Sequence, residues 1–158
     1  MWRGGRGSQK GEVTMKKDNK DMMVYVIEQD MAGDVPSVSM GIRTIPKDEF
    51  LENAYKIIDC RMVDVREFEC NGKYYDAWFD DEFLLSGKPL VPTLFLGELK
   101  PDAFDLICGS IIIAHSDEEG ATCGITPEEA DDLTSFMYKN FLKINKASIM
   151  GLFGKKSA

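Results

Sequence analysis

The 158-residue chain has one histidine, His115, and four cysteines, none of them in a C-x-x-C spacing. A single histidine cannot complete a two-histidine zinc set, and unpaired cysteines specify neither a zinc knuckle nor a dithiol redox motif. No stretch approaches the ~20 apolar residues of a membrane-spanning helix. The best, Leu106 to Ala114, is strand-sized and interrupted by Gly109 and Ser110. The first 20 residues lack the apolar core of an export signal. These absences lead us to expect a cytoplasmic protein with no membrane contact, its Cys60, Cys70, Cys108 and Cys123 being reduced structural thiols. Gly87-Lys88 is no phosphate loop, because the upstream glycine and the following Ser or Thr are missing. Internal repeats and interior linkers are absent too.

What is present fits a soluble globular chain: 44% hydrophobic and 29% charged residues. A chain this long can bury a core without disulfide or metal staples. The net charge of −8 is unevenly distributed. Residues 1–20 carry +4 and residues 151–158 carry +2, which leaves −14 for residues 21–150. So acidic a body repels phosphate backbones and attracts basic surfaces, so no direct nucleic-acid binding by the folded part is expected. The same acidity also keeps a small protein soluble. Composition predicts a disordered basic extension over 1–20, one domain over 21–146 and a flexible tail over 147–158, where Gly151 and Gly154 break the pattern.

Met22 to Ile27 is a continuous apolar run and reads as a buried strand. Val35 to Ile42 reads as a second strand whose start Pro36 pushes towards an edge. Pro46 to Ile58 reads as a helix, with Asp48 and Glu49 at its positive end and Phe50, Leu51, Ala54, Ile57 and Ile58 on one face. Asn71-Gly72 between Met62–Cys70 and Lys73–Phe79 demands a two-residue type I′ hairpin, because both turn positions need positive φ. Leu94 to Gly97 is apolar but too short to assign. Asp105 to Ala114 reads as one buried strand, Ser116 to Gly120 as a turn without the calcium-loop pattern, and Ala121 to Ile125 as the return strand. Thr126-Pro127-Glu128-Glu129 is a capping box that starts a second helix carrying Ala130, Leu133, Met137, Phe141 and Ile144 on one face. The expected fold is α+β: a mostly antiparallel sheet of five or six strands with both helices packed on one side.

The hairpin register is fixed by its two-residue loop. It sets Cys70 opposite Lys73, Glu67 opposite Asp76 and Val65 opposite Trp78. Glu69, Glu67, Tyr74, Asp76, Trp78 and Asp80 then share a face, and Asp81 and Glu82 continue the acidic run. Like charges directly opposite cost a few tenths to ~1 kcal/mol, a cost that a basic partner or solvent screening would offset. Glu67, Glu69, Tyr74, Asp76, Trp78, Asp80, Asp81 and Glu82 are therefore the candidate partner-binding residues, with the two aromatics as anchors. No catalytic residue, metal ligand or cofactor is assigned.

In order along the chain, several segments together resemble the DUF3846 family. They are Val26-Ile27-Glu28, the helix Phe50-Leu51-Glu52-Asn53-Ala54-Tyr55-Lys56-Ile57-Ile58, Val63-Asp64-Val65, and Asp80-Asp81-Glu82 leading to Lys88-Pro89-Leu90-Val91-Pro92. Ile107-Cys108-Gly109-Ser110-Ile111-Ile112-Ile113, Asp117-Glu118-Glu119-Gly120 and Ile125-Thr126-Pro127-Glu128-Glu129 complete the series. The resemblance spans roughly Met23 to Leu133. Family members often carry Gly-Gly where this chain has Asp59-Cys60, and Asn where it has Thr93. The resemblance implies a small α+β protein of phages and mobile elements of gut bacteria, and it supplies no catalytic residue.

Three functions stay open on the sequence. The first is a non-enzymatic acidic binding protein that inhibits a host defence factor, of anti-CRISPR or anti-restriction type, by occupying a basic nucleic-acid groove. The second is a sequestering protein that stacks a nucleotide or other small ligand on Tyr55, Tyr74, Tyr75 or Trp78, with Arg43, Arg61 or Arg66 converging on phosphate. The third is a carboxylate- or Mg²⁺-dependent hydrolase built on Glu67 and Asp76. Oligomeric state is not legible.

Overall fold

The computed structural model describes residues 21–84 and 90–153. The basic extension expected over 1–20 lies outside the described residues. β1 (Asp21–Asp30) and β2 (Ser37–Pro46) form an antiparallel pair with unbroken register from Asp21↔Pro46 to Asp30↔Ser37. A single 3₁₀ turn, Lys47–Glu49, leads into α1 (Phe50–Ile58). The Asn-Gly hairpin follows as β3 (Val63–Cys70) and β4 (Lys73–Asp80), in the register that the two-residue loop dictates. Asn71 and Gly72 have φ of 53° and 82°, the positive values a type I′ turn requires.

The apolar run from Leu106 to Ala114 is not one strand. It divides into β6 (Phe104–Cys108), paired with β5 (Pro92–Gly97) in a separate two-stranded sheet, and β7 (Ile111–Ser116), which enters the main sheet. The break falls at Gly109, whose φ of 94° turns the chain between the two sheets. β8 (Thr122–Cys123) pairs with β7 only at His115 and Ser116. The main sheet has six strands, five in the order β2-β1-β7-β4-β3, and every pairing is antiparallel. α2 (Pro127–Ile149) starts from a complete capping box, Thr126 with Glu129, and has proline in its first turn.

The α+β architecture and the antiparallel sheet are as expected, but the helices do not share a side. α2 packs Ala130, Leu133 and Met137 against Tyr25, Ile27, Tyr75, Ile111 and Ile113 on one face. α1 packs Phe50, Ala54 and Ile58 against Val24, Val26, Ile112 and Ala114 on the other. The reason is visible in β1 and β7. A strand covered on one face alternates apolar with polar, whereas these two are apolar at consecutive positions, so both faces need cover.

The boundary expected at residue 146 is also corrected. α2 continues to Ile149, Ala147 and Leu152 are buried, and Phe153 packs on the stacked pair Phe95–Phe104. Residues 147–153 are part of the domain because β5 and β6 offer them an aromatic surface; residues 154–158 lie outside the described residues. Among the described residues no helix is long and apolar enough to cross a membrane.

Candidate functional site

The hairpin face turned towards α1 is built from alternate residues of two strands. At its turn end Glu67 and Glu69 are exposed, Tyr74 is 63% exposed and Asp76 is half-buried. Glu67 and Asp76 are direct register partners, as are Glu69 and Tyr74. Among the described residues no Lys, Arg or His forms an ion pair with Glu67, Glu69, Asp76 or Asp81. Two cations of the ribbon itself are engaged elsewhere, and Lys47, at the groove beside Trp78, is in no ion pair with these carboxylates among the described residues. Arg66 points to the opposite face and holds Asp105 at 2.6 Å, and Lys73 holds Glu129 at 2.9 Å.

Further along the ribbon the face changes character. Trp78 is half-buried beneath α1, edge-on to Phe50 with ring centroids 5.0 Å apart. Its indole Nε1 is buried without a hydrogen-bond partner among the described residues. An open groove of about 760 Å³ lies beside this aromatic pair, flanked by Lys47, Asp48, Leu51 and Glu52 at the α1 end and by Ala121 and Thr122. The acidic ribbon therefore runs into a groove with an aromatic floor. Asp80 lies about 13 Å further on from Asp76 at strand spacing, and its carboxylate accepts the Glu82 N–H at 2.8 Å. Asp81 is exposed, and Glu82 is paired with Arg61 at 3.2 Å.

The structure thus brings Glu67, Glu69, Tyr74 and Asp76 together. It makes Trp78 part of the groove floor rather than a protruding anchor, and it sets Asp80, Asp81 and Glu82 apart at the far end. The aromatic residues considered for stacking do not meet. Tyr75 is buried under α2, Tyr74 is exposed on the opposite face, and Tyr55 lies on the outer part of α1. Arg43, Arg61 and Arg66 do not converge either, since each is paired with its own carboxylate, Glu28, Glu82 and Asp105.

A second polar cluster escaped the sequence reading. Glu129, only 6% exposed, accepts hydrogen bonds from Lys73 Nζ at 2.9 Å, His115 Nε2 at 3.0 Å and the Thr126 N–H at 2.9 Å. Burial works against its charge, but these donors outweigh it and lower the carboxyl to about 2. The other nitrogen of His115 lies 3.0 Å from the Tyr74 carbonyl, and its ring stacks on Tyr75 at 4.5 Å. The cluster ties the hairpin turn, β7 and the start of α2 together. Its signal was the capping box, which placed Glu129 at the helix start; nothing local announced Lys73 or His115 as partners.

His115 faces Cys123 across β7 and β8, the nearest approach to the cysteine–histidine pair a nucleophile would need. Burial raises the Cys123 thiol, as it does Cys70, and it pushes Cys108 up to about 11. Raised thiols are poor nucleophiles at neutral pH, so these cysteines behave as packing residues. Among the described residues no three His, Cys, Asp or Glu side chains are grouped to hold a metal ion.

A family model described as "Domain of unknown function (DUF3846)" matches residues 22–138, most of the chain. The chain belongs to the DUF3846 family. Neither a curated protein nor a solved structure matches it. Thr93 is fully buried, its hydroxyl 2.7 Å from the Gly109 carbonyl and 3.1 Å from that of Ile107. In this DUF3846 protein Thr93 ties β5 to the end of β6. Asp59 has φ of 62° at the end of α1. A glycine there avoids the left-handed strain that Asp59 accepts.

Proposed function

We propose that this DUF3846 protein is a non-enzymatic binding protein that presents the α1-side face of its hairpin to a partner with a basic surface. In its specific form the partner is a host defence factor of a bacterium, and the acidic face occupies that factor's nucleic-acid groove. The observation carrying this reading is the cluster of Glu67, Glu69 and Asp76, which are unpaired among the described residues and gathered on one strand face beside the Phe50–Trp78 groove. Folding places like charges opposite one another with no cation paired to them among the described residues, and a cationic partner would relieve that repulsion. The groove gives such a partner an apolar foothold next to the charges, the arrangement in which interface hot spots occur. Hydrolysis finds less support, because Glu67 and Asp76 lie on an open strand face rather than in a water-excluding cleft.

The test is affinity capture from a bacterial lysate with the full chain and with a Glu67→Lys, Glu69→Lys, Asp76→Lys variant, at low and high salt. A protein retained by the natural chain at low salt, and lost both at high salt and with the variant, is expected. Capture that charge reversal leaves unchanged would remove the proposal.

A further inference from the structure

The two edges of the main sheet are protected very differently. β3 is a guarded edge. Four of its eight residues are charged, Asp64 caps the Val65 N–H at 2.8 Å, and Arg66 reaches across to Asp105. Charges and local capping of this kind keep a strand edge from pairing with another chain. β2 has none of these devices. It is a ten-residue strand, SVSMGIRTIP, with no bulge in its pairing to β1 and no proline before its last residue. Its single charge, Arg43, is neutralised by Glu28 at 2.6 Å. Among the described residues no strand pairs with its outer edge and no side chain caps its outward N–H groups.

Two large side chains are exposed on the flank of this edge. Ile42, the register partner of Tyr25, is 48% exposed. Above it, α2 places Thr134 on the Tyr25 hydroxyl at 2.7 Å, and Tyr138, one turn further along α2, is 62% exposed. A neutral open strand with two exposed large side chains beside it is the reverse of the acidic hairpin at the other edge.

We propose that β2 pairs antiparallel with β2 of a second copy of this chain, about a two-fold axis, to form a homodimer with one continuous sheet. A second copy is the occupant that the edge fits best. Self-pairing extends a sheet that is already wholly antiparallel, and a strand whose only charge is internally paired meets no like-charge penalty at the axis. Ten antiparallel residues span about 34 Å, and the sheet edge with its α2 layer is about 20 Å deep. That contact is roughly 700 Å² per partner, close to the ~800 Å² of a specific interface. The dimer carries its two acidic hairpin faces at opposite ends, so the inference is independent of what those faces bind.

Sedimentation velocity of the full chain, from low to high micromolar concentration, tests the proposal. A mass rising to twice the 17.7 kDa of the chain is expected. Hydrogen exchange of the amides of residues 37–45 is expected to slow as the dimer forms. An Ile42→Lys, Tyr138→Lys variant, altered only at exposed positions, should keep its circular dichroism and raise the dimer dissociation constant more than about 100-fold. A mass of 17.7 kDa at every concentration would overturn the proposal, as would a dimer whose 37–45 amides exchange at the monomer rate. Should the variant fail to fold, concentration-dependent exchange in the natural chain decides. Slowing of these amides by an added extended peptide, in a chain that stays monomeric, would assign the edge to a foreign strand and also overturn the dimer.

Discussion

Glu129 shows how a single side chain can fix the junction of three elements. Its pKa drops on folding from 4.5 to about 2, so its contribution is fully present above 4.5 and is lost as pH falls through about 2. Glu129→Gln should therefore lower stability by about 2 kcal/mol at neutral pH. It should also flatten the loss of thermal stability between pH 5 and pH 2, as measured by melting across that range. Trp78 and Tyr74 make a contrasting pair on one strand face. Trp78→Ala should cost about 3 kcal/mol in denaturant unfolding, because it empties the space under Phe50. Tyr74→Ala should stay within about 0.5 kcal/mol, because Tyr74 is 63% exposed. Equal costs at the two positions would mean that Trp78 is not part of the groove floor. The register of both residues was legible from Asn71-Gly72 alone; which of them lay under a helix was not, since that depends on where α1 docks.

Among the elements, those with a local chemical signature were readable and those defined by distant partners were not. The hairpin, the capped start of α2 and the apolar face of α1 each follow from a few neighbouring residues. The run from Leu106 to Ala114 looked like one strand because every side chain in it suits a sheet. Its division at Gly109 serves two sheets that only tertiary structure defines. The C-terminal residues misled for a related reason. Gly151 ends the helix, but Leu152 and Phe153 find their partners more than 40 residues upstream, on Phe95 and Phe104. Leu152→Ala should cost about 2 kcal/mol in denaturant unfolding. A cost near zero would return these residues to the status of a tail.

Over the whole molecule, charge and apolar cover are arranged across the sheet. The consecutive apolar residues of β1 and β7 require helices on both faces, a requirement that outweighed the simpler expectation of one covered side. The central strands take that cover, and the outer strands β2 and β3 differ in what they present. β2 offers an edge whose single charge, Arg43, is paired with Glu28, and β3 a highly charged one, with hairpin carboxylates unpaired among the described residues beside it. How acidic the body is was plain from composition; where its unpaired charge gathers needed the fold, because Arg66 and Lys73 sit on the ribbon yet serve the other face. The binding proposed for that face would be driven by electrostatic attraction, which acts first on the rate of encounter. The most direct measurement is the association rate of the natural chain with its captured partner as ionic strength rises. We expect the rate to fall at least about tenfold between low and physiological salt, and to be nearly salt-independent for the Glu67→Lys, Glu69→Lys, Asp76→Lys variant. A rate that ignores salt in the natural chain, or that falls equally in both, would contradict the account.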